Sequence, residues 1–181
     1  SQGYFVVSVH REENVDNPVN LEKILTVLNR LAERYDVPVI VSTHPRTKKR
    51  LGGLQCMEVD PRIRFLKPFG FFDYVYLEIH ALCTISDSGT ISEESAVLSF
   101  PAVTIREAIE RPEALDAGSI VLTGLDVDTV LDAVGLVMAE GQEHLETEIP
   151  AEYQIPDTSW RVLKLILGAA KLSNTWDGIK R

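Results

Sequence analysis

The chain opens on a short apolar run, Tyr4 to Val9, followed by a polar stretch from His10 to Asn17 that reads as loop. From Pro18 the period changes. Leu21, Ile24, Leu25, Leu28, Leu31 and Tyr35 recur at steps of three and four, which predicts one amphipathic helix over residues 18–35. Asn17 suits its N-cap, and Pro18 its first position, where an N–H would have no helical partner. Apolar runs and helical patterns then alternate. "VPVIVST" reads as a second strand ending at His44-Pro45, with a basic helix from Arg46 to Leu51 after it. "IRFLK", "LCTIS", "PAVTI" and "SIVLTG" read as four more strands. Helices are expected over residues 70–81, 89–98 and 126–139, while "REAIERPEAL" reads as loop. An acidic, proline-punctuated linker leads to a last helix over residues 156–172.

Near-continuous apolar strands alternating with helices predict a parallel sheet covered on both faces. The expected fold is therefore α/β, a doubly wound, Rossmann-like sheet. It should occupy residues 1–155, with residues 156–181 as a separate carboxyl-terminal helix. The aromatics Phe69, Phe71, Phe72 and Tyr76 are expected in the core. The closing "WRVLKLILGAAKLSNTW" is apolar around most of its circumference and needs partners on more than one side. That helix, and an opening Ser-Gln-Gly that enters a strand at once, suggest a piece of a longer protein able to self-associate through it.

Composition narrows the function without naming it. Apolar residues at 45% and charged residues at 25% are ordinary for a globular domain, and no window is long and apolar enough for a membrane span. A net charge of −9 argues against a nucleic-acid surface but leaves room for a small anion held by local cations. Cys56 and Cys83 lack metal-ligand spacing and are expected as reduced thiols in a cytoplasmic protein. No Walker loop, dinucleotide fingerprint or metal cluster is present, so neither a metal nor a cofactor is expected.

The candidate chemistry lies at the strand ends, because ligands of such sheets sit beyond the carboxyl ends of the strands. Four polar loops should share that edge: His10-Arg11, His44-Pro45, Asp87-Ser88-Gly89-Thr90, and Arg106 to Arg111. Gly89 begins a helix whose terminal N–H groups attract anions, with Ser88 and Thr90 adding hydroxyls. The turn is either a phosphate seat or a capped helix without ligand. Glu93 and Glu94 suit the helix dipole, and one of them could accept both hydroxyls of a ribose; periodicity does not choose. Arg111 could clamp phosphate oxygens or pair with Glu110 or Glu113. His10 and Arg11 could face the same phosphates or be surface groups, and Tyr74 could stack on a base or sit in the core. Taken alone, these residues describe a binder of a nucleotide or a phosphosugar.

"VSVHREEN", "SDSGTISEE" and "REAIERPEA" together resemble the carboxyl-terminal half of the non-hydrolysing UDP-N-acetylglucosamine 2-epimerases. That family carries His-Arg-Arg-Glu-Asn, then Asp-Ser-Gly-Gly with Glu-Glu, then Glu-Arg-Pro-Glu, and the order and spacing match over residues 4–139. The resemblance implies one lobe of a two-lobed, GT-B-type fold with UDP between the lobes. It implies that Ser88, Gly89 and Thr90 hold the diphosphate, that Glu94 takes the ribose, and that Tyr74 lies by the uracil. It further implies that Arg111 and a catalytic His10 approach the phosphates. Arg11 and His44 follow as phosphate or second-site contacts. The implied reaction inverts sugar C2 by anti elimination of UDP to a 2-acetamidoglycal, reprotonation from the other face and return of UDP. Its acid and base carboxylates would come from an amino-terminal lobe, onto which the last helix would cross. The full-length protein is expected to be a homodimer, and this fragment alone to be inactive.

Two positions depart from the family: Thr90 replaces its second motif glycine, and Glu12 its second arginine. With "THPRTKKRL" and "KPFGFFDY" they look closer to the branch acting on UDP-N-acetyl-6-deoxyhexosamines, such as the UDP-N-acetyl-L-fucosamine-forming enzymes of capsule and O-antigen synthesis. In UDP-N-acetylglucosamine enzymes the region around His44 helps a second, activating substrate molecule; the sequence after His44 differs here. Two alternatives would also bind a nucleotide sugar or nucleotide: a retaining glycosyltransferase of the same architecture, and a non-catalytic UDP-binding domain.

Overall fold

The computed structural model describes residues 3–51, 58–109, 112–143, 149–170 and 172–173, the side chains of 46, 49 and 141–143 excepted. The chain divides into two units, Ser1–Pro150 and Ala151–Arg181. In chain order the first unit runs β1 (Phe5–Ser8), α1 (Glu12–Val15), α2 (Pro18–Tyr35), β2 (Val39–Ser42), α3 (Pro45–Leu51) and β3 (Ile63–Leu66). It continues with α4 (Phe71–His80), β4 (Cys83–Ser86), α5 (Ile91–Leu98), β5 (Ala102–Thr104), α6 (Glu113–Asp116), β6 (Val121–Leu122) and α7 (Val127–Glu143). The second unit holds a 3-10 turn, Ala151–Gln154, and helix α8, Thr158–Ala169.

All six strands pair parallel in the order β3-β2-β1-β4-β5-β6, so the expected doubly wound α/β sheet is present. Strand order reverses at β1, which lies between β2 and β4. The register aligns Ser8 with Ser42 on one side and Ser86 on the other, and Ser86 with Thr104. The loops after β1, β2, β4 and β5 therefore leave from one level of one edge. The crevice that such sheets offer a ligand opens where the order reverses, between the loops after β1 and β4.

The core follows from the apolar runs. Phe5, Val7, Val39, Ile85 and Val103 are almost wholly buried, with Leu28 and Leu31 of α2 and Val130 and Val134 of α7 packed in the same cluster. Each side chain of this size, once buried, contributes about 1.5–3 kcal/mol. Asn17 caps α2 as its position predicts, accepting from Val19 N at 3.0 Å and Asn20 N at 3.4 Å. Its replacement by alanine should cost about 1 kcal/mol, read as a lower urea midpoint with an unchanged slope.

Three expectations need correction. The polar stretch His10 to Asn17 contains a helical turn, α1, in which Val15 N donates to Arg11 O at 2.9 Å and buries Asn14 and Val15. The loop after β5 likewise contains the short turn α6. The aromatics of α4 do not fill the core: Phe71, Phe72 and Tyr76 are 71%, 83% and 63% exposed. Phe72, Tyr76 and Ile79 share the outward stripe, while the inward one carries Tyr74, Leu77 and Glu78. In the second unit α8 keeps Trp160, Leu163, Leu165, Ile166 and Leu167 exposed. Cys83 is buried as a free thiol whose pKa burial raises; Cys56 lies outside the described residues.

Candidate functional site

The two loops at the strand reversal are tied together by one side chain. Asp87, the residue after β4, is completely buried. Its Oδ1 accepts from His10 N at 3.1 Å, and its Oδ2 from Arg11 N at 3.0 Å and from Asn14 Nδ2 at 3.0 Å. The His10 ring also meets it, Nδ1 to Oδ1 at 3.1 Å. Arg11 Nε returns to the Asp87 carbonyl at 2.9 Å, while its Nη1 reaches Glu13 at 3.1 Å. A buried carboxylate is tolerated only when donors surround it, and here the donors are the loop after β1. His10 is thereby held at the crevice with half its side chain exposed. Arg11 sits beside it as a structural brace.

Beyond Asp87 the chain makes the turn into α5. Ser88 N donates to Ser86 Oγ at 3.0 Å, and the hydroxyls of Ser88 and Thr90 lie 3.0 Å apart. Thr90 occupies the N-cap position, yet its side chain makes no capping bond. The Ser88 hydroxyl instead accepts from Thr90 N at 3.3 Å, a side-chain bond to the backbone at the entrance to α5. The described glycines with left-handed backbone are Gly118 and Gly124, so Gly89 is not used here for a positive φ.

Tyr74 and Glu94 come together on the other wall. Glu94, half-buried on the first turn of α5, has its N–H bonded to Thr90 O at 2.9 Å. Its carboxyl pKa is raised, by burial first and by the neighbouring Glu93, with a hydrogen bond from Thr90 opposing. The Tyr74 hydroxyl is raised too, by burial and then by the charges of Glu78 and Glu94, with Ser8 opposing. Tyr74, partly buried, stands between the end of β1 and α5. Behind it lies Glu78, 1% exposed. The Tyr74 hydroxyl is near enough to lower its pKa as a hydrogen-bond donor does, although neither Glu78 oxygen meets full hydrogen-bond geometry. Burial, and then the Glu94 carboxylate, push its pKa up to about 8.

Sequence reasoning therefore named Asp87 only as part of a candidate loop, without a role, and missed Glu78 altogether. Asp87 was visible as the acid that closes "TISD" at the strand end, and Glu78 as a lone charge between Leu77 and Ile79, four residues after Tyr74. Of the remaining candidates, His44 is exposed just past β2 on the same edge, and Arg106 is 8% exposed at the end of β5. Arg111, with Glu110, lies outside the described residues. No helix among the described residues is long and apolar enough to cross a membrane.

Comparison with known proteins places this geometry. The family model for UDP-N-acetylglucosamine 2-epimerase matches residues 1–167. A UDP-N-acetylglucosamine 2-epimerase of Methanococcus maripaludis is 38% identical over 137 residues, 74% of this chain and 37% of that protein. The structure of Methanocaldococcus jannaschii UDP-GlcNAc 2-epimerase, solved in complex with UDP-GlcNAc and UDP, superposes with a TM-score of 0.81 at 30% identity. That match covers 92% of this chain and 45% of the other. The Rickettsia bellii UDP-N-acetylglucosamine 2-epimerase structure gives 0.80 at 37% identity, covering 96% of this chain and 46% of its own. The chain thus spans less than half the length of the relatives it matches. By its sequence and its fold, it belongs to the UDP-N-acetylglucosamine 2-epimerase family.

Proposed function

We propose that this chain is the nucleotide-binding half of an epimerase that inverts C2 of a UDP-2-acetamido sugar. The observation that carries the reading is the pairing of the His10 loop with the Asp87–Thr90 turn at the strand reversal, in a family member 30% identical to a UDP-complexed structure. In this reading Ser88, Gly89, Thr90 and the first turn of α5 receive the diphosphate, where helix N–H groups favour negative charge. Arg111 and His10 approach the same phosphates, Glu94 takes the ribose hydroxyls, and Tyr74 borders the uracil. Arg11, beside His10, and His44, just past β2 on the same edge, are secondary contacts.

The chemistry divides between two lobes. Elimination of UDP develops negative charge on the departing β-phosphate, and groups placed there stabilise the transition state more than the ground state. This chain supplies those groups. The carboxylates that remove and return the C2 proton belong to an amino-terminal lobe, to which the apolar face of α8 docks. The whole protein works as a homodimer in the cytoplasm and needs no cofactor. Thr90, Glu12 and "KPFGFFDY" favour a UDP-N-acetyl-6-deoxyhexosamine as the sugar.

Calorimetric titration tests the first half of this reading. UDP should bind in the micromolar to millimolar range, ADP should bind weakly, and Arg111→Ala should abolish the UDP signal. Adding the amino-terminal lobe should then restore exchange of the C2 hydrogen with deuterated water, which the chain alone does not catalyse. A glycosyltransferase would leave C2 untouched, and a scaffold would gain no activity from the lobe. Equal affinity for ADP and UDP would refute the assignment.

A further inference from the structure

Asp87 meets more donors than a structural brace needs. Two backbone N–H groups and the Asn14 amide already satisfy the buried carboxylate and fix the loop after β1. The His10 ring nitrogen is an additional contact, at 3.1 Å, from a side chain that is otherwise half exposed. An imidazole has two nitrogens, and the hydrogen bond made by one decides the state of the other. Asp87 offers carboxylate oxygens, which accept, so a proton on Nδ1 is the state that this contact favours. Nε2 is then the ring nitrogen that the carboxylate leaves open to a ligand. Protonated, it donates; neutral, it accepts; in both states it is the atom a ligand meets.

We propose that Asp87 is a positioning residue whose buried carboxylate fixes His10 as the Nδ1–H tautomer and presents Nε2 to the diphosphate edge. The diphosphate part of this statement rests on the nucleotide reading above; the tautomer part does not. The arrangement has a physical purpose. A free histidine at a strand end rotates and exchanges tautomers, and ordering it on binding would cost affinity. A side chain already held by a carboxylate that cannot move meets a developing charge without reorganisation. The loop that carries it is held by the same two oxygens, so ring and backbone are set together.

Nitrogen-15 spectroscopy of the imidazoles in the ligand-free chain decides the first part, with His10→Gln identifying the His10 signals among the four histidines. In the neutral ring, Nδ1 should carry the proton and Nε2 should show the shift of an unprotonated ring nitrogen. The opposite tautomer would overturn the proposal. Asp87→Asn should lose that preference. It should also weaken UDP binding about tenfold, the size of one charge-assisted hydrogen bond, as should His10→Gln. The double variant should fall no further, because both changes remove one interaction. Losses that multiply in the double variant would mean that Asp87 acts only through the backbone, and would sink the positioning role. Should Asp87→Asn not fold, the parent's tautomer alone decides. Should UDP not bind the parent, the nucleotide reading fails while the spectrum still tests the Asp87–His10 pair.

Discussion

Replacing Glu78 by glutamine should leave stability unchanged at pH 4 and raise it at pH 9, by on the order of 2–3 kcal/mol once partial solvent screening is allowed for. The argument begins with burial. Glu78 is 1% exposed, and neither of its oxygens has a hydrogen-bond partner. Its pKa is pushed up to about 8 from the ordinary 4.5, by burial and then by the Glu94 carboxylate, with Tyr74 opposing. Between those two values the folded chain holds a proton that the unfolded chain has released. The contribution of this group is therefore full below the ordinary carboxylate range and is lost as pH rises through about 8. Glutamine keeps the shape and cannot ionise, so it escapes the loss. Urea unfolding of parent and variant at pH 4, 7 and 9 checks this, since all other titrating groups are common to both. Parallel stability curves would show that Glu78 ionises without penalty in the fold.

That proton also matters to the site. Two carboxylates close together cannot both be charged cheaply, and the one more deeply buried keeps its proton. At neutral pH Glu78 is the acid that stays neutral, which leaves Glu94 free to carry the charge that a pair of ribose hydroxyls would need. A glutamate on the inward stripe of α4 thus violates the apolar pattern of its helix at the place where the proposed ligand sits. Departures from pattern of this kind are expected at functional sites.

What the sequence revealed, and what it hid, divides along physical lines. Helix α2 was legible to the residue at both ends, because an asparagine cap, a first-position proline and five turns of periodicity agree. The parallel sheet and its shared edge were legible from apolar runs alone. Helix α1 was not, because a single turn has no periodicity, and it is built on a carboxylate more than seventy residues away in the chain. The role of Asp87 was hidden for the same reason. Its partners His10, Arg11 and Asn14 become neighbours only when β1 pairs with β4. The aromatics of α4 misled in the opposite direction. Composition suggested core, but only the stripe a residue occupies decides whether it is buried, and Phe72 and Tyr76 occupy the outer one.

The second large effect concerns how the proposed nucleotide is read. Glu94 projects from the first turn of α5, half-buried, one turn beyond the Ser88–Thr90 turn proposed for the diphosphate. A carboxylate there repels phosphate, so its partner must be a neutral donor, and vicinal hydroxyls supply two donors to its two oxygens. UDP should therefore bind better than 2′-deoxy-UDP by about tenfold, the worth of one hydrogen bond to a charged group. Glu94→Gln should lower UDP affinity by about ten- to a hundredfold and bring the two ligands to within about twofold of each other. Glu93→Gln should leave the preference intact, because only one of the adjacent glutamates can face the ligand from a helix. Titration of the two nucleotides into the parent and both variants closes the cycle. If Glu94→Gln weakened both nucleotides equally, the carboxylate would be supporting the fold of the site and the ribose would be recognised elsewhere. If Glu93→Gln removed the preference instead, the assignment would pass to Glu93.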